Sequence, residues 1–209
     1  MTRPRAAITG LEGPTLLPRE AALLTECPPA GIILFGRNVQ SRPQLRSLVD
    51  SLRDILPYET FFLTDQEGGR VARLRPPEWE AHPAAGLIGN LFDTDPDKAL
   101  RLAWLCGTLI GYDCMEVGID IVAAPVLDRF VPGADAVVGD RAFHADPAIV
   151  TRLARAFAAG LMAAGATPIG KHAPGHGRAL VDSHMALPRL QDLQAADLRP
   201  FVLSASLPW

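Results

Sequence analysis

Short, apolar, β-prone runs alternate along this chain with longer segments that carry apolar residues at helical spacing. This alternation constrains the fold more than any other feature of the sequence. Because parallel strands must be joined by long crossovers, usually helices, the pattern predicts an α/β fold built on a parallel sheet. The predicted strands are residues 6–9, 32–35, 61–64, 119–123 and 167–170. The predicted helices are residues 19–27, 41–56, 96–117, 147–164 and 192–207, the last of them broken at Pro200.

Three of the predicted helices begin with a residue that is typical of helix N-termini. Ser41 is the first residue of the second predicted helix, and Asp95 and Asp146 each stand directly before a proline that opens a helix. Side-chain oxygens at this position accept hydrogen bonds from the free N–H groups of the first turn. No internal repeat or low-complexity linker divides the chain, so one domain over residues 1–209 accounts for it.

Composition excludes several classes of function. The chain has 209 residues, of which 48% are hydrophobic, so it can bury one sizeable core. A net charge of −3 without a basic stripe argues against a nucleic-acid partner. Residues 1–11 lack the apolar core of a secretory signal, and no apolar run reaches the roughly 18 residues of a membrane helix. Three widely spaced cysteines, Cys27, Cys106 and Cys114, predict reduced thiols in a cytoplasmic protein.

The segment from Lys171 to His184 concentrates more chemistry than any other part of the chain. It contains a lysine, three histidines and an aspartate directly after a predicted strand. Pro174, Gly175 and Gly177 exclude a regular helix. An irregular loop must therefore display these side chains, and binding and catalytic residues concentrate in such loops.

Three interpretations of this loop are open from its residues. It is a structural turn with incidental histidines, a metal site built on His172 and His176, or a sugar or anion site. The glycines remove the helix that would place two histidines four residues apart on one face, which weakens the metal interpretation. On an extended segment Asp182 and His184 project to the same side, so the carboxylate reaches one ring nitrogen. The other nitrogen is then left for proton transfer, which favours the sugar or anion site.

A second polar block follows the predicted strand at residues 61–64. It runs from Asp65 to Arg73 and combines an acidic pair, two adjacent glycines and two arginines. Carboxylates accept hydrogen bonds from sugar hydroxyls and guanidinium groups donate them, so the block suits a polyhydroxylated ligand. The alternative is a charged loop held by its own ion pairs.

These motifs resemble glycoside hydrolase family 3, and specifically the bacterial β-N-acetylhexosaminidases of peptidoglycan recycling. That family carries Lys-His-Phe-Pro-Gly-His-Gly, a short spacer, Asp-Ser-His and a Leu-Pro. Ala173 and Arg178 depart from it, since an aromatic residue and an aspartate are usual there. The first departure is expected to loosen the packing of the loop and the second to add a charge beside it. The matching blocks in this chain are 31–38, 65–71, 118–128, 138–143, 171–177, 182–184 and 187–188.

The resemblance implies a TIM (β/α)8 barrel, of which this chain would hold about the first five β/α units. Residues 1–209 would then be an incomplete N-terminal barrel domain of the family. The candidate site residues follow predicted strand ends, the face on which a TIM barrel places its active site. The family's nucleophilic aspartate lies in a later strand loop, so no residue of this chain takes that role, and the chain alone is expected to be inactive.

The resemblance also implies roles for individual residues. Asp65 and Arg73 would contact the N-acetylglucosamine ring, and Arg141, Lys171 and His172 would bind the substrate. His184 would be the catalytic acid/base, oriented by Asp182, in a retaining hydrolysis.

The implied substrate is a small amino sugar, N-acetylglucosamine linked to anhydro-N-acetylmuramic acid with or without peptide, processed in the cytoplasm. No metal or organic cofactor, nucleic acid or membrane partner is implied, and the oligomeric state stays open. Two alternatives remain: a non-catalytic N-acetylglucosamine-binding remnant, and a phosphorolytic enzyme of the same family.

Overall fold

The computed structural model describes residues 4–190 and 192–206, and within them the predicted alternation of strands and helices is confirmed. All strand pairs are parallel, and the strands lie in chain order across one five-stranded sheet. The strands are β1 (Arg5–Gly10), β2 (Pro29–Leu34), β3 (Phe61–Thr64), β4 (Ile121–Val122) and β5 (Thr167–Pro168). The helices are α1 (Pro18–Glu26), α2 (Arg42–Arg53), α3 (Ala85–Phe92), α4 (Pro96–Glu116), α5 (Pro147–Ala163) and α6 (Ala195–Ser204).

The three capping residues predicted from the sequence are confirmed. Ser41 Oγ accepts a hydrogen bond from the Gln44 backbone N–H. Asp95 accepts one from Lys98 N at 3.0 Å, and Asp146 accepts one from Ala148 N at 2.7 Å. Each bond satisfies a backbone N–H group that has no partner within its helix, which fixes where the helix begins.

One helix was missed and one predicted helix was partly wrong. Helix α3 was not predicted, because its two glycines and its lack of a polar face hide the helical pattern. Helix α6 begins at Ala195 rather than residue 192, and it continues through Pro200 without a break. Proline removes one backbone donor, yet the helix extends past Pro200 to Ser204 and the proline ring is buried. The predicted end of that helix at Leu207 lies outside the described residues.

The core lies between the sheet and the helices that cover it. Strands β2 and β3 run in register from Gly31 opposite Phe61 to Leu34 opposite Thr64. Helices α4 and α5 approach closely because glycines stand at their contact: a Cβ on Gly107 would lie 2.1 Å from the Phe157 carbonyl oxygen. The largest fully buried side chains include Ile32, Leu34, Leu45, Leu52, Phe62, Ile110, Leu153 and Leu161.

Two expectations from composition concern the cysteines and membrane helices. All three cysteines are free thiols, with Cys106 and Cys114 buried and Cys27 partly exposed. Among the described helices, none combines the length and the apolar character that crossing a bilayer requires.

Candidate active site

The candidate residues lie at the C-terminal ends of the parallel strands and in the connections that leave them. Asp65 directly follows β3, and Lys171 follows β5 by three residues. Arg141 ends a short 3-10 helix, Gly139–Arg141, in the connection between β4 and α5. Because parallel strands end at one edge of a sheet, these distant parts of the chain meet. They line one cavity of about 870 Å3, which Asp65, Arg73, Arg141, Lys171, His172, Asp182 and His184 share.

Asp65 is held between two cations. Its Oδ1 accepts a hydrogen bond from Lys171 Nζ at 2.7 Å, and its Oδ2 accepts one from Arg73 Nη2 at 3.0 Å. Burial raises the pKa of Asp65, but the charges and hydrogen bonds of Lys171 and Arg73 lower it by more. The carboxyl pKa therefore lies below its ordinary value, and Asp65 is ionised near neutral pH.

The loop that carries Asp65 is folded by the buried amide of Gln66. Gln66 Oε1 accepts hydrogen bonds from the backbone N–H groups of Arg73 and Leu74, at 2.7 and 3.1 Å. Its Nε2 donates to the Leu74 carbonyl at 2.9 Å. A positive φ of 93° at Gly68 lets the chain turn back here. These contacts return Arg73 to the side of Asp65 although eight positions separate them.

Glu67 connects two of the predicted substrate-binding residues, and sequence reasoning did not select it as a site residue. Its carboxylate accepts hydrogen bonds from Arg141 Nε and Nη2, both at 2.8 Å. Lys171 Nζ lies 2.5 Å from the same carboxylate, which is only 6% exposed. Burial lowers the pKa of Arg141, but the carboxylates of Glu67, Asp128 and Asp65 together raise it by more, so Arg141 stays charged. The spacing of Asp65 and Glu67, two apart in one loop, was the available signal.

His172 is fixed from both ring nitrogens. Its Nδ1 lies 2.6 Å from Asp128 Oδ2, and its Nε2 lies 3.1 Å from Arg141 Nη2. A guanidinium group only donates hydrogen bonds, so Nε2 must accept and the ring proton must sit on Nδ1. His172 is therefore the neutral Nδ1–H tautomer in this arrangement. Asp128, the second site residue that sequence reasoning did not select, follows β4 and is wholly buried.

Asp182 and His184 make the contact that the sequence predicts. Asp182 Oδ1 lies 2.7 Å from His184 Nδ1 and also accepts a hydrogen bond from the His184 backbone N–H at 2.9 Å. The predicted extended backbone was wrong, because Asp182 O accepts from Met185 N and closes a turn. The hydrogen bond from the His184 backbone, and then that from its ring, lowers the pKa of Asp182. The His184 side chain is 82% exposed, so it stands at the mouth of the cavity.

The loop residues that depart from the family pattern have different surroundings. Arg178 Nε lies 3.6 Å from Asp197 Oδ2 in α6, and Arg129 Nη2 lies 2.9 Å from the other oxygen of that carboxylate. The added charge thus shares one buried carboxylate with Arg129, and this contact ties the loop to α6. Ala173 lines the cavity.

The metal-site interpretation requires a cluster of metal-binding side chains. Within residues 4–190 and 192–206, no three side chains of the metal-binding types converge as a cation requires. The rings of His172 and His176 lie edge to face, with centroids 6.0 Å apart. The His172 nitrogens are also engaged by Asp128 and Arg141.

A parallel β/α sheet with carboxylates, cations and histidines gathered at its strand ends defines the class of β/α-barrel domains that build a ligand site on that face. Within this class, the chain belongs to glycoside hydrolase family 3. Residues 14–204 match the glycosyl hydrolase family 3 N terminal domain, which confirms the resemblance drawn from the motifs.

Similar proteins agree with this family and are longer than the chain. It is 42% identical over 196 residues to a β-hexosaminidase of Alkalilimnicola ehrlichii, covering 92% of this chain and 56% of that protein. The structure of NagZ from Neisseria gonorrhoeae in complex with N-trifluoroacetyl-D-glucosamine superposes with a TM-score of 0.89 and 35% identity, over 96% of this chain and 60% of that one. A family 3 β-N-acetylglucosaminidase from Paenibacillus sp. gives a TM-score of 0.85 and 30% identity, over 94% of this chain and 38% of that one. The chain thus spans little more than half of the Alkalilimnicola relative.

Proposed function

We propose that this chain forms the sugar-binding part of a retaining β-N-acetylhexosaminidase that removes β-linked N-acetylglucosamine. The observation that carries the proposal is the convergence of Asp65, Arg73, Arg141, Lys171 and His172 in one cavity, with the Asp182–His184 pair at its mouth. The family of the chain and the amino-sugar analogue bound by the Neisseria NagZ support the same ligand class.

The balance of charge in the cluster suits an uncharged sugar. Three carboxylates, those of Asp65, Glu67 and Asp128, stand against three cations. The cations are Arg73, Arg141 and Lys171. Since each cation except Arg73 contacts Glu67, and Arg73 contacts Asp65, none offers an uncompensated charge. Hydroxyl groups need such paired donors and acceptors, whereas phosphate needs excess positive charge. The cluster therefore favours hydrolysis over the phosphorolytic alternative.

His184 is proposed as the acid/base of the reaction. With Nδ1 hydrogen-bonded to Asp182, the protonated ring presents its Nε2–H to solvent and to the cavity. In the first step Nε2–H gives its proton to the leaving oxygen while a carboxylate attacks the anomeric carbon and the glycosidic bond breaks. In the second step the neutral Nε2 takes a proton from water, which attacks the same carbon and releases the carboxylate. Asp182 holds the tautomer and stabilises the imidazolium form.

The nucleophile is proposed to be a carboxylate outside this cluster. Asp128 is wholly buried and Glu67 nearly so, which hides both from a substrate. Both oxygens of Asp65 already accept hydrogen bonds from cations. We therefore assign sugar binding rather than covalent attack to Asp65, and we assign the nucleophile to none of the described carboxylates.

The natural substrate is proposed to be a cytoplasmic peptidoglycan fragment, N-acetylglucosamine linked to anhydro-N-acetylmuramic acid with or without its peptide. This finer assignment follows from the motif resemblance. The exposed position of His184 is consistent with a leaving group that extends from the cavity into solvent.

Replacement of His184 tests the mechanism. In the complete gene product, His184→Ala should lose about 100-fold or more of kcat/KM on substrates with a poor leaving group. It should lose far less on aryl glycosides whose leaving group departs without protonation. Steady-state kinetics on both substrate kinds measure this difference, with Ser183→Ala in the same turn as the control. Equal losses on both kinds of substrate would remove His184 from the acid/base role.

A further inference from the structure

The side chain of Asp128 is a wholly buried carboxylate whose hydrogen-bond partners belong to one loop. Its Oδ2 receives the His172 backbone N–H at 3.2 Å and lies 2.6 Å from His172 Nδ1. Its Oδ1 accepts the His176 backbone N–H at 2.6 Å. The side chain is 0% exposed, so it touches neither solvent nor the contents of the cavity.

The direction of each hydrogen bond around Asp128 is fixed by chemistry. The two backbone groups only donate, so both carboxylate oxygens must accept. On the far side of the imidazole, Arg141 Nη2 only donates as well, so His172 Nε2 must accept. The single ring proton is thereby placed on Nδ1, facing Asp128. One chain of bonds then leads from the buried carboxylate through His172 to Arg141.

We propose that Asp128 is a positioning residue of the site, which acts through His172. It fixes the tautomer of His172, holds the loop at residues 172–176 by two backbone bonds, and thereby aligns Arg141 in the cavity. The role in sugar binding rests on the function proposed above. The tautomer itself does not, because it follows from the hydrogen-bond pattern alone.

Replacement by asparagine discriminates this role from simple packing. Asparagine has nearly the same shape but carries one acceptor oxygen and one donor NH2 group. If the oxygen faces His172, the NH2 group opposes the His176 N–H. If the NH2 group faces His172, it donates to Nδ1, so the ring proton must move to Nε2. That proton then faces the N–H of Arg141, and two donors oppose each other. Neither orientation preserves the native network.

Nitrogen NMR of the complete protein with isotopically labelled histidine measures the tautomer directly. The wild type should show a neutral His172 with its proton on Nδ1, the signal being assigned by its loss in His172→Gln. A proton on Nε2 in the wild type would overturn the proposal without any variant, so the test stands even where Asp128→Asn fails to fold.

Binding and kinetics of Asp128→Asn complete the test. The affinity for N-acetylglucosamine should fall about tenfold, with a rise in KM that exceeds the fall in kcat on an activated aryl glycoside. His172→Gln should lose a similar amount, and the double variant should lose no more than either single one. The control is Asp120→Asn at the opposite end of the sheet, where Asp120 accepts from the Phe62 N–H and Arg53. It should change none of these readouts.

An unchanged tautomer together with unchanged affinity in Asp128→Asn would overturn the proposal. Additive losses in the double variant would overturn it as well, since Asp128 would then act independently of His172. If the tautomer changes in Asp128→Asn but the wild-type protein itself binds no amino sugar, the positioning role is upheld and the proposed function is contradicted.

Discussion

Carboxylates organise the cations of this site at the scale of single residues. Glu67 contacts both Arg141 and Lys171, and Asp65 contacts Lys171 and Arg73. Long cationic side chains lose much conformational freedom when they are held in one place. Two buried or half-buried carboxylates reduce that cost when a ligand binds, because they hold the cationic donors in place beforehand.

The stability contributed by Asp65 should depend on pH. Its pKa is lowered in the folded protein, so the contribution is fully present above the ordinary value of 3.8 and is lost as the pH falls through the folded-state pKa. Asp65→Asn should therefore lower the free energy of unfolding by about 1–3 kcal/mol near neutral pH. The difference from the wild type should shrink below the ordinary pKa.

Chemical denaturation at a series of pH values measures this difference. Asp50→Asn is the control, because the Arg46–Asp50 pair is more than half exposed and should change stability by under about 1 kcal/mol. A difference for Asp65→Asn that stays constant on acidification would contradict the account of its pKa.

The residues that line the cavity were easier to predict from the sequence than the buried residue that supports them. Asp65 and Arg73 lie in the glycine-containing block after the third predicted strand, and Lys171 and His172 lie between Gly170 and Pro174, so their place in loops was predictable. Asp128 ends the matching block 118–128, but that block alone gave it no role in the site, and its partners are 44 and 48 positions away. Such pairings depend on which strands are neighbours and in what register, which local spacing does not encode.

Helix α3 shows how an element outside the sheet positions the site. A Cβ on Gly89 would lie 1.5 Å from the Phe143 carbonyl oxygen, and one on Gly86 would lie 3.2 Å from that of Asp140. The helix therefore presses its backbone against the segment that contains Arg141. The glycines that concealed this helix in the sequence are the residues that allow its close contact.

A larger side chain at Gly89 should shift the segment that contains Arg141 and thereby disturb the site. Gly89→Ala should destabilise the protein by about 1–3 kcal/mol, since added atoms in a packed contact force the backbone to shift. It should also raise the KM for an aryl N-acetylglucosaminide, because the shifted segment contains Arg141. Thermal unfolding and steady-state kinetics of the complete protein measure both effects.

The matched control is Gly13→Ala, since a Cβ at Gly13 would meet nothing within 4 Å and its φ is not positive. That variant should behave as the wild type. A Gly89→Ala protein of unchanged stability and KM would show that α3 does not support the Arg141 segment.

At the scale of the whole molecule, the parallel topology brings residues more than 100 positions apart into one cavity. Asp65 and Lys171 are 106 positions apart and join across the ends of β3 and β5. The strand-helix alternation made this topology predictable, and the five β/α units were found in the expected order. The lengths of β4 and β5 were not predictable. Only two residues of each strand are paired in the sheet, whereas the apolar runs in the sequence extend further.

We propose that this arrangement serves a retaining β-N-acetylhexosaminidase, and proton NMR of an aryl β-N-acetylglucosaminide during turnover by the complete gene product tests this. We expect hydrolysis in which β-N-acetylglucosamine is released first and the α anomer appears only by later mutarotation, with little turnover of the matching β-glucoside. Release of the α anomer first, or no turnover of the N-acetylglucosaminide, would contradict it.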